Sequence, residues 1–197
     1  MFTGIVEAVG SIARVTDAQG ARRLRILVKG LGASLSPGDS VAVDGVCLTV
    51  ERADTEGFDA TAVAETLRRT TLGERAAGEP VNLERAATME RYFGGHLVQG
   101  HVDGVARVAA FDPASDAPTL ELDLPGDVFA LCVEKGSIAV DGVSLTIASL
   151  AAETRIAVAI APYTRAHTTC ATYTPGRRVN VEADLIAKYV REFVRRA

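Results

Sequence analysis

The sequence predicts an all-β protein built from two tandem six-stranded Greek-key barrels, followed by a C-terminal α-helix. Three observations lead to this prediction: segments repeat at a nearly constant offset, apolar residues alternate with polar ones, and turn-forming residues recur at short intervals along the 197 residues. Many short strands joined by tight turns are typical of small barrels. The number of strands, about six in each barrel, follows from the size of each copy.

The repeat is clearest in two decapeptides. VAVDGVCLTV occupies 41–50 and IAVDGVSLTI occupies 138–147, so seven of ten residues agree at an offset of 97. Three more segments match in the same order at offsets of 96 to 98: 3–10 with 99–106, 24–30 with 120–126, and 66–84 with 164–182. A period this long favours two domains over a solenoid. We predict barrels at 1–88 and 94–183, with the boundary inside 85–95.

Alternation within each copy predicts strands with one buried face. In the first copy, apolar and basic residues alternate from Arg23 to Lys29 and are interrupted only at Leu27. In the second copy, leucines alternate with polar residues from Thr119 to Leu124. This period of two places one side of each strand in a core and the other in water.

The last fourteen residues, DLIAKYVREFVRRA at 184–197, break this alternation. Their apolar residues recur at spacings of one and four, and their other side is largely basic, which predicts an amphipathic helix. Asp184 is suited to cap its N-terminus, and the final arginines suit the helix dipole. The apolar stripe packs either against a barrel of the same chain or against other copies of the chain, and the pattern leaves both open.

Composition narrows the possible partners and compartment. The net charge is −4 and no long run of Lys and Arg occurs, which argues against a nucleic-acid partner. The three cysteines, Cys47, Cys132 and Cys170, are odd in number and scattered along the chain. We therefore expect a reducing compartment, and neither a disulfide scaffold nor a zinc site. The N-terminus does not resemble a signal peptide and no apolar run is long enough to cross a bilayer. We expect a cytoplasmic protein without a membrane partner.

Small polar residues follow the Asp-Gly pairs in both decapeptides. The pairs at 44–45 and 141–142 predict hairpin turns. Alternation then places Cys47 and Thr49 on one strand face, and Ser144 and Thr146 on the equivalent face. Such residues often belong to a core or satisfy nearby backbone groups. Their repetition in both copies favours contact with a polar ligand.

The histidines and glycines of GGHLVQGHVDG, at 94–104, suggest a proton-transfer group but not a metal site. His96 and His101 are five residues apart, which separates their rings on a strand, and the glycines disfavour a helix. His101 could move a proton near neutral pH, the alternative being a structural histidine bonded to a backbone carbonyl. Gly4 and Gly100 would allow a backbone to approach a planar ligand closely.

These residues carry a resemblance that covers essentially the whole chain. The N-terminal MFTGIVE, the paired DGVCLTV and DGVSLTI, GGHLVQGHVDG, ETLRRTTLG and the two segments VNLE and VNVE resemble the riboflavin synthase alpha chain. The resemblance implies a homotrimer held by the C-terminal helices, 184–197. It implies a transferase of riboflavin biosynthesis that dismutates two molecules of 6,7-dimethyl-8-ribityllumazine into riboflavin and 5-amino-6-ribitylamino-uracil. It implies no cofactor and no metal, and it leaves an association with lumazine synthase open.

The resemblance also implies an active site between the first barrel of one subunit and the second barrel of a neighbour. Carried onto this sequence, the substrate contacts of the first pocket are Gly4, Ile5, Val6, Cys47, Leu48, Thr49, Ala64, Glu65 and Thr66. Those of the second pocket are Gly100, His101, Val102, Lys135, Ser144, Leu145, Thr146, Ile160, Ala161, Pro162, Tyr163 and Thr164. Ser40 and Asp184 match polar positions near the site and could orient the reacting groups. Tyr163 is a departure, because many relatives carry a glutamate or histidine there.

Four of these residues are the candidates for catalysis. His101 would move a proton of the C7 methyl group of the donor lumazine. Cys47, Ser144 or Thr146 would bind or deliver the nucleophile that adds at C7 of the acceptor, with covalent attack by Cys47 and attack by water both left open. Their joint presence favours an enzyme over a lumazine- or flavin-binding antenna protein. A pair of oligonucleotide-binding barrels is disfavoured by the acidic balance and the few aromatic residues.

Overall fold

The structure, a computed structural model, describes residues 1–90, 93–115, 118–151 and 154–196. It confirms the predicted class: two closed antiparallel barrels of six strands each, with an α-helix after the second. The domain limits 1–88 and 94–183 stay predictions. The predicted boundary segment 85–95 includes residues 91 and 92, and the predicted helix includes residue 197; these lie outside the described residues.

The first barrel closes by pairing its last strand with its first. Its elements are β1 (Ala8–Ala18), β2 (Ala21–Leu27), β3 (Ser40–Val43), β4 (Val46–Ala53), β5 (Gly57–Ala62), the short helix α1 (Ala64–Arg69) and β6 (Pro80–Arg85). Neighbouring strands follow the order β1-β2-β5-β4-β3-β6, and β6 returns to β1. This order is antiparallel throughout.

The second barrel repeats this plan. Its elements are β7 (Gly104–Ala110), β8 (Thr119–Asp123), α2 (Gly126–Phe129), β9 (Ser137–Val140), β10 (Val143–Leu150), β11 (Arg155–Ala159), α3 (Pro162–His167) and β12 (Arg178–Ala183). The strand order, started at β7, is β7-β8-β11-β10-β9-β12, which corresponds strand for strand to the first barrel. The final helix, α4, spans Leu185–Arg196.

Each barrel has its own core, which the alternating pattern predicts correctly. In β2, Leu24 and Ile26 are fully buried, whereas Leu27, which interrupts the alternation, faces outwards and is 37% exposed. In β8, Leu120 and Leu122 are fully buried. Each such side chain contributes about 1.5–3 kcal/mol relative to an exposed one. The two apolar clusters thus stabilise two separate barrels.

The predicted Asp-Gly hairpins are confirmed, and their tips meet at the junction of the two barrels. Asp44 and Gly45 both have positive φ values, 45° and 76°, as do Asp141 and Gly142, at 42° and 78°. This is the backbone of a type I′ turn. The Gly45 Cα lies so close to Gly142 that an added Cβ would be 2.6 Å from the Gly142 nitrogen. Both aspartates are fully buried at this junction.

Reciprocal hydrogen bonds join the two barrels. The Asn82 side chain donates to the Asp141 carbonyl at 2.9 Å, and the Asn180 side chain donates to the Asp44 carbonyl at 2.8 Å. Phe2, which is fully buried, exchanges backbone hydrogen bonds with Val98 at 2.7 and 3.1 Å. Buried polar groups are costly unless paired, so these contacts fix one orientation of the barrels.

The C-terminal helix forms as predicted, but its apolar stripe is not covered by its own chain. The Asp184 carboxylate accepts the Ile186 N–H at 2.8 Å and caps the helix. Ala187 packs against the second barrel, and Lys188 pairs with Asp103 at 2.6 Å. The alternative in which the stripe packs against a barrel of the same chain is therefore wrong. Five of its residues remain 54–72% exposed: Ile186, Tyr189, Val190, Phe193 and Val194. Within the described residues, no helix has both the length and the hydrophobicity that a bilayer crossing requires.

Candidate active site

The predicted polar face of the first barrel lies on its outside. On β4, the Leu48 side chain is buried in the barrel core, while Cys47 is half-buried and Thr49 is exposed. Ser40 is paired in register with Thr49, so its side chain lies on the same face. The Leu48 side chain itself cannot contact a ligand on this face, because it points the other way.

The second barrel presents an equivalent face. On β10, Ser144 is half-buried and Thr146 is exposed, whereas Leu145 is buried in the core. Ile160, another predicted contact, is only 3% exposed and packs inside the barrel. For Leu145 and Ile160, only the backbone is available to a ligand.

Two glycine segments connect these faces across the molecule. The Gly4 carbonyl accepts the Ser144 N–H at 2.8 Å, and the Gly100 carbonyl accepts the Cys47 N–H at 2.9 Å. Gly4 and Gly100 have φ values of 75° and 79°, and a Cβ on either would lie 2.6 Å from the facing Cβ. The close backbone approach predicted for these glycines is therefore made to a strand of the other barrel.

This arrangement regroups the predicted pockets. The resemblance groups residues 4–6 with Cys47 and residues 100–102 with Ser144. In the structure, Val6 packs against the core of the second barrel and Val102 against that of the first. Within one chain, residues 4–6 therefore lie beside the Ser144 face of the second barrel. Residues 100–102 lie beside the Cys47 face of the first barrel.

Two buried glutamates hold these segments in place. Glu84 accepts hydrogen bonds from the Thr3 N–H and hydroxyl, both at 2.7 Å, and from the Gly4 N–H at 3.0 Å. Glu182 accepts those of Gln99 and Gly100 at 2.8 and 2.9 Å. Burial raises the pKa of both carboxyl groups. Glu84 and Glu182 end the VNLE and VNVE segments, and sequence reasoning did not assign them a positioning role.

His96 is a further residue at this site whose role sequence reasoning missed. Its Nδ1 atom lies 2.7 Å from the Ser144 hydroxyl oxygen, and its Nε2 atom is buried without a partner among the described residues. Burial lowers the pKa of His96, and the charge of Asp184 opposes this effect. The preceding Gly95 allows His96 to lie this close to Ser144. A Cβ at residue 95 would lie 2.1 Å from the Thr3 oxygen and 2.9 Å from the Ser144 Cβ. The Gly-Gly-His sequence at 94–96 was the feature of the sequence that could have indicated a close contact of His96.

The remaining predicted contacts lie on the outer surface around these faces. Glu65 forms ion pairs with Arg68 and Arg69 on α1, and the Tyr163 ring stacks on His167 with centroids 3.9 Å apart on α3. The others are exposed or half-buried: Ile5, Ala64, Thr66, His101, Lys135, Ala161, Pro162, Thr164 and Asp184.

We expect Gly4→Ala to lower the free energy of unfolding by about 2–4 kcal/mol, because it combines a left-handed backbone with a clash against Ser144. Gly38→Ala is the matched control: Gly38 also has positive φ, 95°, but open space around it. That control is expected to lose only about 1–2 kcal/mol from backbone strain. Urea denaturation measures both, and equal losses would contradict a tight junction at Gly4.

Comparison with known proteins places this geometry in a family. The lumazine binding domain model matches residues 3–86 and 99–184. Riboflavin synthase of Mycobacterium tuberculosis (strain ATCC 25618 / H37Rv) is 45% identical over 200 residues, with full coverage of both chains. Riboflavin synthase of Bacillus subtilis (strain 168) is 39% identical and covers 100% of this chain and 91% of its own. LumP complexed with 6,7-dimethyl-8-(1'-D-ribityl) lumazine superposes with a TM-score of 0.84 at 26% identity, covering 93% of this chain and 99% of LumP.

Two closed barrels, each matching a lumazine-binding domain and each presenting an equivalent polar strand, define a tandem lumazine-binding protein. The chain belongs to the riboflavin synthase family.

Proposed function

We propose that this chain is a riboflavin synthase, a transferase that converts two molecules of 6,7-dimethyl-8-ribityllumazine into riboflavin and 5-amino-6-ribitylamino-uracil. One lumazine gives a four-carbon unit to the other, and the atoms of two substrates equal those of the two products. The observation that supports this best is that the two barrels carry equivalent outer faces, Cys47 with Thr49 and Ser144 with Thr146. The chain that carries them matches riboflavin synthases over its full length. Holding two copies of one substrate in a fixed pair makes an encounter of two molecules effectively unimolecular.

The difference between the two faces suits a reaction in which the substrates play unequal roles. Ser144 is hydrogen-bonded to a His96 ring whose pKa burial keeps low, so this imidazole is neutral and able to accept a proton. Cys47 occupies the equivalent position of the first barrel. A hydroxyl–imidazole pair on one face and a thiol on the other supply distinct groups for the donor and acceptor lumazines. His101, exposed beside the first face, remains our candidate for deprotonating the donor methyl group.

We further propose that the active site forms between neighbouring subunits of a homotrimer. The exposed apolar stripe of α4 supports this assembly, because five large side chains on one helix are left uncovered by their own chain. Each polar face lies on the outside of its barrel, where a neighbour can reach it. A cytoplasmic location, consistent with three unpaired cysteines, and an association with lumazine synthase are kept as predictions.

The direct test is to mix the purified protein with 6,7-dimethyl-8-ribityllumazine and follow the absorbance of riboflavin. Riboflavin formation is the expected result. LumP, a structural relative, is known in complex with the lumazine and with riboflavin, so binding without turnover would instead favour a carrier protein.

Substitutions at the candidate residues test their roles. We expect His101→Gln to lower kcat about 100-fold or more, because general acid–base catalysis contributes at least this much. Ser144→Ala, which also removes the His96 partner, should lower kcat by a similar factor. Ser149→Ala, an exposed hydroxyl farther along β10, is the matched control and should keep full activity. Full turnover by His101→Gln, Cys47→Ser and Ser144→Ala would contradict the assigned roles.

A further inference from the structure

Arg75 connects the two Asp-Gly hairpins through its charge. It lies in the segment between α1 and β6 of the first copy and is only 8% exposed. Its Nη2 atom lies 2.7 Å from the carboxylate of Asp44 and 3.9 Å from that of Asp141. Both aspartates are fully buried, so salt screens their attraction to the guanidinium only weakly. One buried cation therefore draws the tips of both hairpins towards the same point.

The second copy carries no cation at the equivalent position. At the offset of 98 that relates these segments of the repeat, Arg75 corresponds to Tyr173. The Tyr173 hydroxyl donates to Asp141 at 2.8 Å, as Arg75 donates to Asp44 at 2.7 Å. Each aspartate is thus bound by the same position of its own copy, but only the first copy supplies a positive charge there. Arg75 consequently serves both aspartates.

The two hairpins lead directly into the candidate active site. Cys47 comes three residues after Asp44, and Ser144 comes three residues after Asp141. At a rise of about 3.3 Å per strand residue, each aspartate lies within about 10 Å of the polar residue that it precedes. Because β4 and β10 are hydrogen-bonded into their barrels, a shift of either hairpin also moves the polar face that follows it.

The same strands hold the glycine segments of the other copy. The Cys47 N–H donates to the Gly100 carbonyl at 2.9 Å, and the Ser144 N–H donates to the Gly4 carbonyl at 2.8 Å. His101 directly follows Gly100. The placement of His101 beside the first polar face therefore depends on the orientation of the two barrels.

We infer that Arg75 is a positioning residue for riboflavin synthesis: by pairing with both Asp44 and Asp141, it sets the orientation of the two barrels. This inference rests on the proposed function. In a shared active site, the first barrel of one subunit meets the second barrel of another, so the orientation within each chain affects every site of the assembly. Misplacement by about 1 Å, even from a distant substitution, can lower a rate about 100-fold.

The first experiment compares kcat and KM for 6,7-dimethyl-8-ribityllumazine per folded protein, with the folded fraction taken from circular dichroism. Arg75→Met is expected to lower kcat at least about tenfold and to change KM less than about twofold, because each face still binds its lumazine. Arg75→Lys should recover part of kcat, since Arg75 reaches both carboxylates through one nitrogen, which an ammonium group can replace. Arg155→Met, which removes an ion pair with Asp123 inside the second barrel, is the matched control and should keep full kcat.

A double variant separates positioning from stability. Asp44→Asn in the Arg75→Met background removes the carboxylate that lost its cation, but the link between the hairpins is still missing. We expect its free energy of unfolding to rise above that of Arg75→Met while its kcat stays low. Recovery of kcat in step with stability would overturn the inference, and so would full kcat in Arg75→Met.

The pH dependence of kcat gives a readout that a merely structural role would not move. The groups around the two aspartates are Arg75, Arg177 and the buried Tyr173 and Cys170, whose pKa values burial raises. Burial also raises the pKa of both aspartates, which alone among these groups change charge between pH 6 and pH 8. In Arg75→Met, two ionised aspartates repel each other at pH 8, and protonation at pH 6 relieves this repulsion.

The ratio of the kcat of Arg75→Met to that of the parent should therefore rise about threefold or more from pH 8 to pH 6. A ratio that is constant, or that falls, would overturn the inference. The parent protein shows which conclusion fails. A parent that forms no riboflavin would overturn the proposed function and this inference together, whereas an active parent matched by Arg75→Met would overturn this inference alone.

Discussion

Replacing Phe193 and Val194 with lysine is expected to convert the proposed trimer into monomers and to lower riboflavin formation at least about 100-fold. The two side chains are 68% and 72% exposed on α4 within one chain, so the substitutions do not disturb the barrels. In an assembly the new charges would be buried in the helix contact, at a cost that no partner offsets. Separated subunits would no longer present two lumazines to each other, and well-oriented reactants gain effective molarities of about 10⁵ M or more.

Molecular mass in solution and steady-state turnover measure this outcome. The chain has a mass of 20.7 kDa, so a trimer and a monomer differ threefold. Glu192→Lys is the matched control, since it changes the net charge by the same amount on the polar side of the helix, where Glu192 pairs with Arg195 and Arg196. A monomeric double variant with full turnover would show that one chain holds a complete active site.

Replacing Arg75 with methionine is expected to lower the free energy of unfolding by about 3–5 kcal/mol at pH 8, because it removes the cation that is hydrogen-bonded to a buried carboxylate. Arg75 is 8% exposed, and its Nη2 atom lies 2.7 Å from the Asp44 carboxylate and 3.9 Å from that of Asp141. The Tyr173 hydroxyl donates to Asp141 at 2.8 Å. Arg23→Met, which removes an exposed ion pair with Glu51, should cost at most about 1 kcal/mol.

The pH dependence of this effect follows from the buried aspartates. Burial and the charge of Asp141 raise the pKa of Asp44 to about 7, and burial raises the pKa of Asp141. The folded protein therefore binds protons that the unfolded chain releases, and this contribution to stability is complete below the unfolded pKa and is lost as the pH rises towards about 7. Without Arg75 the carboxyl groups gain more from protonation, so the deficit of Arg75→Met should shrink at pH 5.

Chemical denaturation at pH 5 and pH 8, at one protein concentration, tests this expectation. His96 acts in the opposite direction, because its lowered pKa removes stability as the pH falls below its ordinary value. The comparison is therefore made between variant and parent at each pH. A deficit that is constant or larger at pH 5 would contradict a charged junction, and Asp44→Asn in the Arg75→Met background should restore part of the loss.

Local patterns predicted the barrels because the relevant forces act between near neighbours. The alternation around Leu24 and Leu120 sets which strand face is buried, and the Asp-Gly pairs set the hairpin turns. The outward positions of Thr49 and Thr146 follow from the same alternation. Because the two copies match, each prediction made for one copy also applied to the other.

What the sequence did not predict depends on contacts between the copies. Asp44 looked like an ordinary turn residue, but it is fully buried where its hairpin meets that of the second barrel, and its carboxylate accepts hydrogen bonds from Arg75 and the Asn82 N–H. His96 could not be placed beside Ser144, 48 residues away, from spacing alone. The crossing of Gly4 to the second barrel is likewise a long-range contact. The resemblance grouped Gly4 with Cys47, whereas within one chain the Gly4 carbonyl accepts the Ser144 N–H.

The most direct test is complementation between two chains that are each blocked at one barrel. Thr49→Arg blocks the first face and Thr146→Arg the second, and both side chains are exposed, so both variants are expected to fold. Each variant alone should be inactive. A co-refolded equal mixture should regain riboflavin synthesis, because an intact first barrel then meets an intact second barrel of a neighbour. A mixture as inactive as its components, with mixed oligomers present, would contradict an active site shared between subunits.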